Sequence, residues 1–185
     1  MKNDKPLITT IFIVIISYII GVYFYTKIDK QEVPNQPVIS IDFTNWLMAI
    51  EHIKKYEGYS STTYQLLPDT NWYIGYGYRM KHKNQFNNIT EVIGDSLMES
   101  ILIDKIIYCN KIYNVNGNKA LALGLVHYRC GRGLFRTFNL HKHLLSGNKD
   151  SIKKEWLDIN KFDTIKPHKQ TQERAVFEWN LYNNY

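Results

Sequence analysis

The chain has 185 residues, of which 44% are hydrophobic, 14% aromatic and 22% charged. That apolar content excludes a disordered chain, and the length provides one ordinary domain plus a small extra piece, enough to bury a core without a metal or disulfide scaffold. Twenty-three basic against 17 acidic side chains give a formal charge of +6. The excess is scattered, so it suits an anionic cell-wall or membrane partner and does not require nucleic acid.

The first element is Leu7 to Tyr25, 19 residues without a charge. As a helix it would span about 28 Å, close to the hydrocarbon core of a bilayer. A cleavable signal peptide is the competing reading, but it needs small residues before the cut. Here Val22-Tyr23-Phe24-Tyr25 is bulky, which favours an uncleaved transmembrane anchor. Lys2 and Lys5 precede the segment; Lys27, Asp29, Lys30 and Glu32 follow it. This near balance leaves the positive-inside rule little to decide, and a short N-terminal tail places the N-terminus inside with the domain exported. The expected organisation is therefore a tail over 1–6, a single-pass anchor over 7–25 in the cytoplasmic membrane, a linker over 26–39 containing Pro34 and Pro37, and a folded extracytoplasmic domain over 40–185.

From Phe43 the apolar residues recur at helical spacing through Trp46, Leu47, Ile50, Ile53 and Tyr56. Asp42 suits the N-cap and Gly58 a left-handed stop, which makes Glu57 the last helical residue. Tyr59 to Arg79 changes to Tyr, Thr, Trp and Ile around Pro68-Asp69-Thr70-Asn71, the pattern of a hairpin with a central turn. Its second strand is expected to place Trp72, Ile74, Tyr76 and Tyr78 on one face, and Tyr73, Gly75, Gly77 and Arg79 on the other. Two glycines on one face mark a place where something approaches the backbone closely.

The remainder reads as helical. Ser96-Leu97-Met98-Glu99 has a capping-box pattern and predicts a helix from Ser96 to about Tyr113. Lys119 to Arg129 predicts a central buried helix, broken by Gly131-Arg132-Gly133. Shorter helices are predicted near Leu140–Leu145, Ser151–Ile159 and Thr171–Tyr182. The fold class is α+β, a hairpin lobe beside a mainly helical lobe with a cleft between them.

Glu57-Gly58, Tyr64 and the run Ile74-Gly75-Tyr76-Gly77-Tyr78 resemble the phage-type lysozymes of glycoside hydrolase family 24. Their pattern is Glu-Gly at the end of the first helix, a tyrosine seven residues on, and a strand ending Ile-Gly-Tyr-Gly-His. Ala120-Leu121 through Tyr128 and Gly131, then Leu144-Leu145-Ser146-Gly147, Trp156, and Arg174, Glu178 and Leu181 resemble later parts of the same pattern. The likeness runs over about residues 43 to 182. It implies a lysozyme-like fold, a monomer, peptidoglycan as the partner, no cofactor, and cleavage of the glycan strand with Glu57 as general acid. The chemistry agrees: a poor leaving group needs a proton, and a carboxylic acid in a partly apolar cleft at the negative end of a helix dipole can hold one. Position alone leaves the alternative of a solvated Glu57 paired with Lys54 or Lys55.

Three departures from the pattern concern the second catalytic group. Leu66 stands where the family has an aspartate, Tyr73 where it has a threonine, and Tyr78 where it has a histidine. Asp69 is the hairpin's one carboxylate and is either the replacement base or an ordinary turn residue. The implied catalytic set is Glu57, Asp69 and Tyr73, with Tyr64, Gly75, Gly77, Tyr78 and Arg129 along the substrate. Without a second carboxylate the sugar's own hydroxyl would attack, as in a lytic transglycosylase; a relative that only binds walls is the third reading. Arg129, Arg132 and Arg136 are either a site for peptide-stem carboxylates or a solvated basic patch. His141 and His143 lack the spacing of metal ligands on a helix. Asn88-Ile89-Thr90 is a sequon of a kind common by chance. Cys109 and Cys130 read as two buried thiols, with a bridge as the alternative.

Overall fold

The computed structural model describes residues 39–158 and 168–183. The chain divides into two units, Met1–Val38 and Ile39–Tyr185. The segment read as an anchor therefore lies outside the described residues. Among the described residues no helix is long and apolar enough to cross a membrane.

Helix α1, Phe43–Glu57, starts where Asp42 accepts a hydrogen bond from the Asn45 N–H at 3.1 Å. It buries Ala49, Ile50, His52 and Ile53, and it stops at Gly58, whose φ of +71° strains any residue with a Cβ. No atom lies within 4 Å of a Cβ built there, so backbone conformation alone demands glycine.

The sheet is β1 (Ser60–Gln65), β2 (Trp72–Gly75) and β3 (Tyr78–Arg79), antiparallel in the order β1-β2-β3. Tyr64 faces Tyr73, and the register shifts between Ser60 and Tyr64. The hairpin and its turn match the sequence reading, but the second strand does not run on to Arg79. It breaks after Gly75, because Gly75 and Gly77 take φ values of +63° and +88°. The expected alternation of faces therefore ends at Gly75. Tyr76 turns inward and is buried, and its hydroxyl donates to Glu91 Oε1 at 2.8 Å. Ile74, Met80 and Ile89 form a small core under the sheet, joined by Trp72, Tyr78, Phe86 and Leu97.

Helix α2 covers Glu91–Tyr113, beginning five residues before the predicted Ser96. Thr90 is the N-cap, its hydroxyl accepting from the Ile93 N–H at 3.4 Å. Ser96 lies inside the helix and donates to the Val92 carbonyl, so the capping-box pattern there was coincidental. Helix α3, Gly117–Phe135, is kinked at Gly131 (φ 73°, ψ 159°), where the sequence placed the break. Ala120 to Val126 are buried along it. It packs against both α2 and α6 and is the central helix. The chain closes with α4 (Asn139–Ser146), α5 (Lys149–Leu157) and α6 (His168–Asn183). Trp156 of α5 is fully buried against the rings of Trp179 and Tyr182.

Candidate active site

Glu57 is the last residue of α1, and α6 meets it. Glu57 Oε1 accepts a hydrogen bond from Arg174 Nη2 at 2.5 Å, with the Glu57 side chain 20% exposed and that of Arg174 only 2%. The pairing with Lys54 or Lys55 does not form. Lys54 bonds Asp95 at 2.8 Å, and Lys55 lies 4.0 Å from Glu173. Tyr56 donates to Glu173 at 3.0 Å, and the Arg174 guanidinium lies 5.2 Å above the Tyr56 ring.

The β1–β2 hairpin brings three of the expected residues together. The Tyr64 and Tyr73 rings stack at 5.9 Å. Burial, then the negative charge of Glu57, hold the Tyr64 phenol above its ordinary range, which places Tyr64 in the electrostatic reach of Glu57. The Tyr73 hydroxyl donates to Asp69 Oδ2. Burial and this bond raise the Tyr73 phenol. Asp69 Oδ1 accepts from the Asn71 N–H at 2.9 Å and from the Asn71 side chain. The Tyr73 hydroxyl first, then Asn71, hold the Asp69 carboxyl below the usual carboxylate range. Tyr64, Tyr73 and Asp69 thus form a chain of contacts along the hairpin.

The surroundings of the other expected substrate contacts are as follows. Something does approach Gly75 closely, but it is the protein itself. A Cβ there would meet Ile89 Cδ1 at 3.3 Å and the Gly94 Cα of α2 at 3.4 Å. Gly77 faces open space and is a turn residue. Tyr78 packs edge-on against Phe86 and receives a hydrogen bond from Gln85. Arg129 pairs through its guanidinium at 3.1 Å with Glu178, which is fully buried. Arg132 pairs with Asp104 at 2.7 Å, and Arg136 bonds the Tyr108 hydroxyl at 3.0 Å. Arg132 and Arg136 thus share Tyr108, over whose ring both guanidiniums lie, while Arg129 pairs apart from them with Glu178.

Two residues beside Glu57 were not assigned to the site from sequence. Arg174 was noted only as part of a closing pattern, and Arg174 and Glu178 four residues apart were the available signal. Tyr128 donates to the Tyr76 carbonyl at 2.6 Å and ties α3 to the sheet. Burial first, then the charge of Glu57, raise its phenol. His141 accepts or shares a hydrogen bond with the Tyr113 hydroxyl at 2.8 Å. Among the described residues no three His, Cys, Asp or Glu side chains come together as metal ligands. Both cysteines are free.

A carboxylic side chain ending α1, an antiparallel hairpin after it and a helical body around one central helix define a lysozyme-like protein. Residues 54–175 match the family model for phage lysozyme, and the chain belongs to that family, a class of glycoside hydrolases. No match was found among curated protein sequences. Solved structures that share the fold include the following three. The muramidase domain of SpmX from Asticaccaulis excentricus superposes with a TM-score of 0.61 at 20% identity, over 78% of this chain and 98% of that one. The endolysin of Escherichia coli O157:H7 phage FAHEc1 gives 0.57 at 18% identity, over 80% and 96%. A mutant of P22 lysozyme gives 0.53 at 17% identity, over 78% and 99%.

Proposed function

We propose that this protein is a peptidoglycan muramidase of the glycoside hydrolase family 24 type, held by residues 7–25 in the cytoplasmic membrane with its domain over 40–185 outside. Glu57 is the general acid. The observation that carries this reading is the position of its carboxyl. It sits at the end of α1, four-fifths covered, on a buried arginine, and its charge reaches Tyr64. Two of the similar structures are a muramidase domain and an endolysin, which supports peptidoglycan as substrate. Glu57 protonates the glycosidic oxygen, and Tyr64 and Tyr73 offer flat aromatic faces beside it.

Glu57→Gln should abolish release of fragments from purified cell walls while leaving the thermal midpoint within a few degrees, because the amide oxygen still accepts from Arg174. Retained cleavage would remove Glu57 from the mechanism. For the anchor, full-length protein should fractionate with membranes, and removal of residues 1–39 should release a folded, active domain. A soluble full-length protein with an intact N-terminus would refute the anchor.

The attacking group is assigned to water activated by Asp69, whose carboxylate the Tyr73 hydroxyl orients. The engagement of both Asp69 oxygens by Asn71 and Tyr73 favours a second reading, in which Asp69 only holds the turn and the sugar's own hydroxyl attacks. Mass spectrometry of the products separates the two, since hydrolysis leaves reducing ends and intramolecular attack leaves 1,6-anhydro ends.

A further inference from the structure

The register of the sheet sets three side chains in one row. Tyr64 of β1 stands opposite Tyr73 of β2, and Tyr73 stands opposite Arg79 of β3. Directly opposed residues of antiparallel strands share a face. The other face carries Trp72, Ile74, Tyr78 and Met80, which pack with Ile89 into the small core under the sheet. Tyr64, Tyr73 and Arg79 therefore line the face turned away from that core. The row crosses two strand spacings, about 10 Å. It begins with two stacked phenol rings and ends with a cation.

The chain has five arginines. Arg129, Arg132, Arg136 and Arg174 are each hydrogen-bonded within the fold. Arg79 is exposed, and among the described residues its guanidinium makes no hydrogen bond or ion pair. The carboxylate bonded to its neighbour Tyr73 is already engaged, since Asp69 Oδ1 accepts from Asn71 and Oδ2 from Tyr73. Arg79 is thus the arginine left available to a ligand, at the end of a row of aromatic rings.

We propose that Arg79 determines specificity: its guanidinium pairs with a carboxylate on the muramyl substituent of a sugar that lies on Tyr64 and Tyr73. This rests on the reading of the protein as a peptidoglycan muramidase. The sugar rings of peptidoglycan are uncharged, and their C–H faces suit aromatic side chains. Its carboxylates belong to the lactyl group and peptide of the muramyl units. A planar guanidinium matches a carboxylate through two parallel hydrogen bonds. A row that runs from aromatic to cationic therefore reads the substituent together with the ring. β3 is also an edge of the three-stranded sheet, and a charge on an edge strand deters pairing between chains, so the two roles need separate readouts.

The test is kcat/KM of the full-length protein on three substrates: purified walls, the same walls with their carboxyls converted to neutral amides by carbodiimide and methylamine, and glycan strands stripped of peptide by an amidase. Arg79→Gln should lower kcat/KM on unmodified walls by about five- to tenfold, chiefly through KM, with the melting temperature unchanged. Amidation should lower the wild type by a similar factor and leave Arg79→Gln nearly unaffected. Arg79→Lys, which keeps the charge without the fork, should retain part of the rate. A variant whose loss is as large on amidated walls as on unmodified ones overturns the proposal. So does a variant with no loss on unmodified walls, and its self-association would assign Arg79 to guarding the edge strand. If Arg79→Gln fails to fold, wild-type protein alone decides, since equal kcat/KM on amidated and unmodified walls overturns the proposal. The stripped strands identify the carboxylate: the variant's loss persists there if Arg79 takes the lactyl group and vanishes if it takes the peptide, and both results support the contact. Wild-type protein that leaves unmodified walls intact fails the muramidase reading itself; wild-type protein that cleaves them with no dependence on carboxylates fails only this inference.

Discussion

At the scale of single residues the site turns on two carboxylates with opposite surroundings. Glu57 lies against a buried guanidinium, and Asp69 sits at an exposed turn with its oxygens engaged by Asn71 and Tyr73. Those bonds favour ionised Asp69, and a general base must be ionised. If Asp69 activates water, Asp69→Asn should cost about 10²–10⁴-fold in cleavage rate. If it only caps the turn, the rate should stay within a few-fold while the melting temperature drops modestly. Measuring both on one variant decides the role. Tyr73→Phe, which removes the hydroxyl from Asp69, should follow Asp69→Asn in direction with a smaller effect.

At the scale of elements, the close crossing of α2 and α3 shapes the helical body. A Cβ on Gly124 would stand 2.7 Å from Ile106 Cγ1 and 3.4 Å from Leu102 Cδ1, both on buried residues. Replacing a helical glycine by alanine gains about 1 kcal/mol of helix propensity, whereas overpacking a close-packed core costs about 1–3 kcal/mol. The packing term wins at this position. Gly124→Ala is expected to lower the urea unfolding free energy by about 1 kcal/mol, and a stabilised variant would show that α2 and α3 can separate without loss.

At the scale of the whole molecule, buried histidines make stability depend on pH. His127 is fully buried and has no hydrogen-bond partner on either ring nitrogen among the described residues; His52 is nearly as buried, and its Nε2 likewise has none. His52 stacks on Phe177 at 4.2 Å, and His127 lies 4.2 Å from the Phe135 ring. Burial first, then neighbouring arginines and lysines, bring each imidazole from 6.5 down to about 3. A folded value below the unfolded one means the fold prefers the neutral ring. The associated stability is complete above about pH 6.5 and is lost as pH falls toward 3. Each such group contributes a slope of up to about 1.4 kcal/mol per pH unit in that window. Urea midpoints should therefore fall steeply below about pH 6, and His127→Leu should flatten the fall. A midpoint independent of pH between 4 and 7 would contradict the neutral buried state.

The sequence alone located what depends on local chemistry. Asp42 and Gly58 bound α1 because a cap needs an oxygen acceptor and a stop needs positive φ, so Glu57 was placed at a helix end from its neighbours. The turn around Pro68–Asn71, the break at Gly131 and the family pattern were legible for the same reason. Other features depend on which surface packs on which, and only the tertiary structure decided them. Gly75 and Gly77 read as a place of close approach to the backbone; α2 supplies that approach at Gly75, and the chain turns at Gly77 with open space beside it. Ser96 carried a better capping pattern than Thr90, yet α2 begins at the earlier residue. Gly94 packs there against Gly75, and a Cβ on it would stand 2.8 Å from the Tyr59 ring. Arg129 read either as a substrate contact or as part of a solvated basic patch, and in the fold its guanidinium pairs with the buried Glu178. A charge in the interior takes the nearest opposite charge, and 49 residues separate these two along the chain. Arg174 reached Glu57 over 117 residues, a separation across which no sequence spacing carries information.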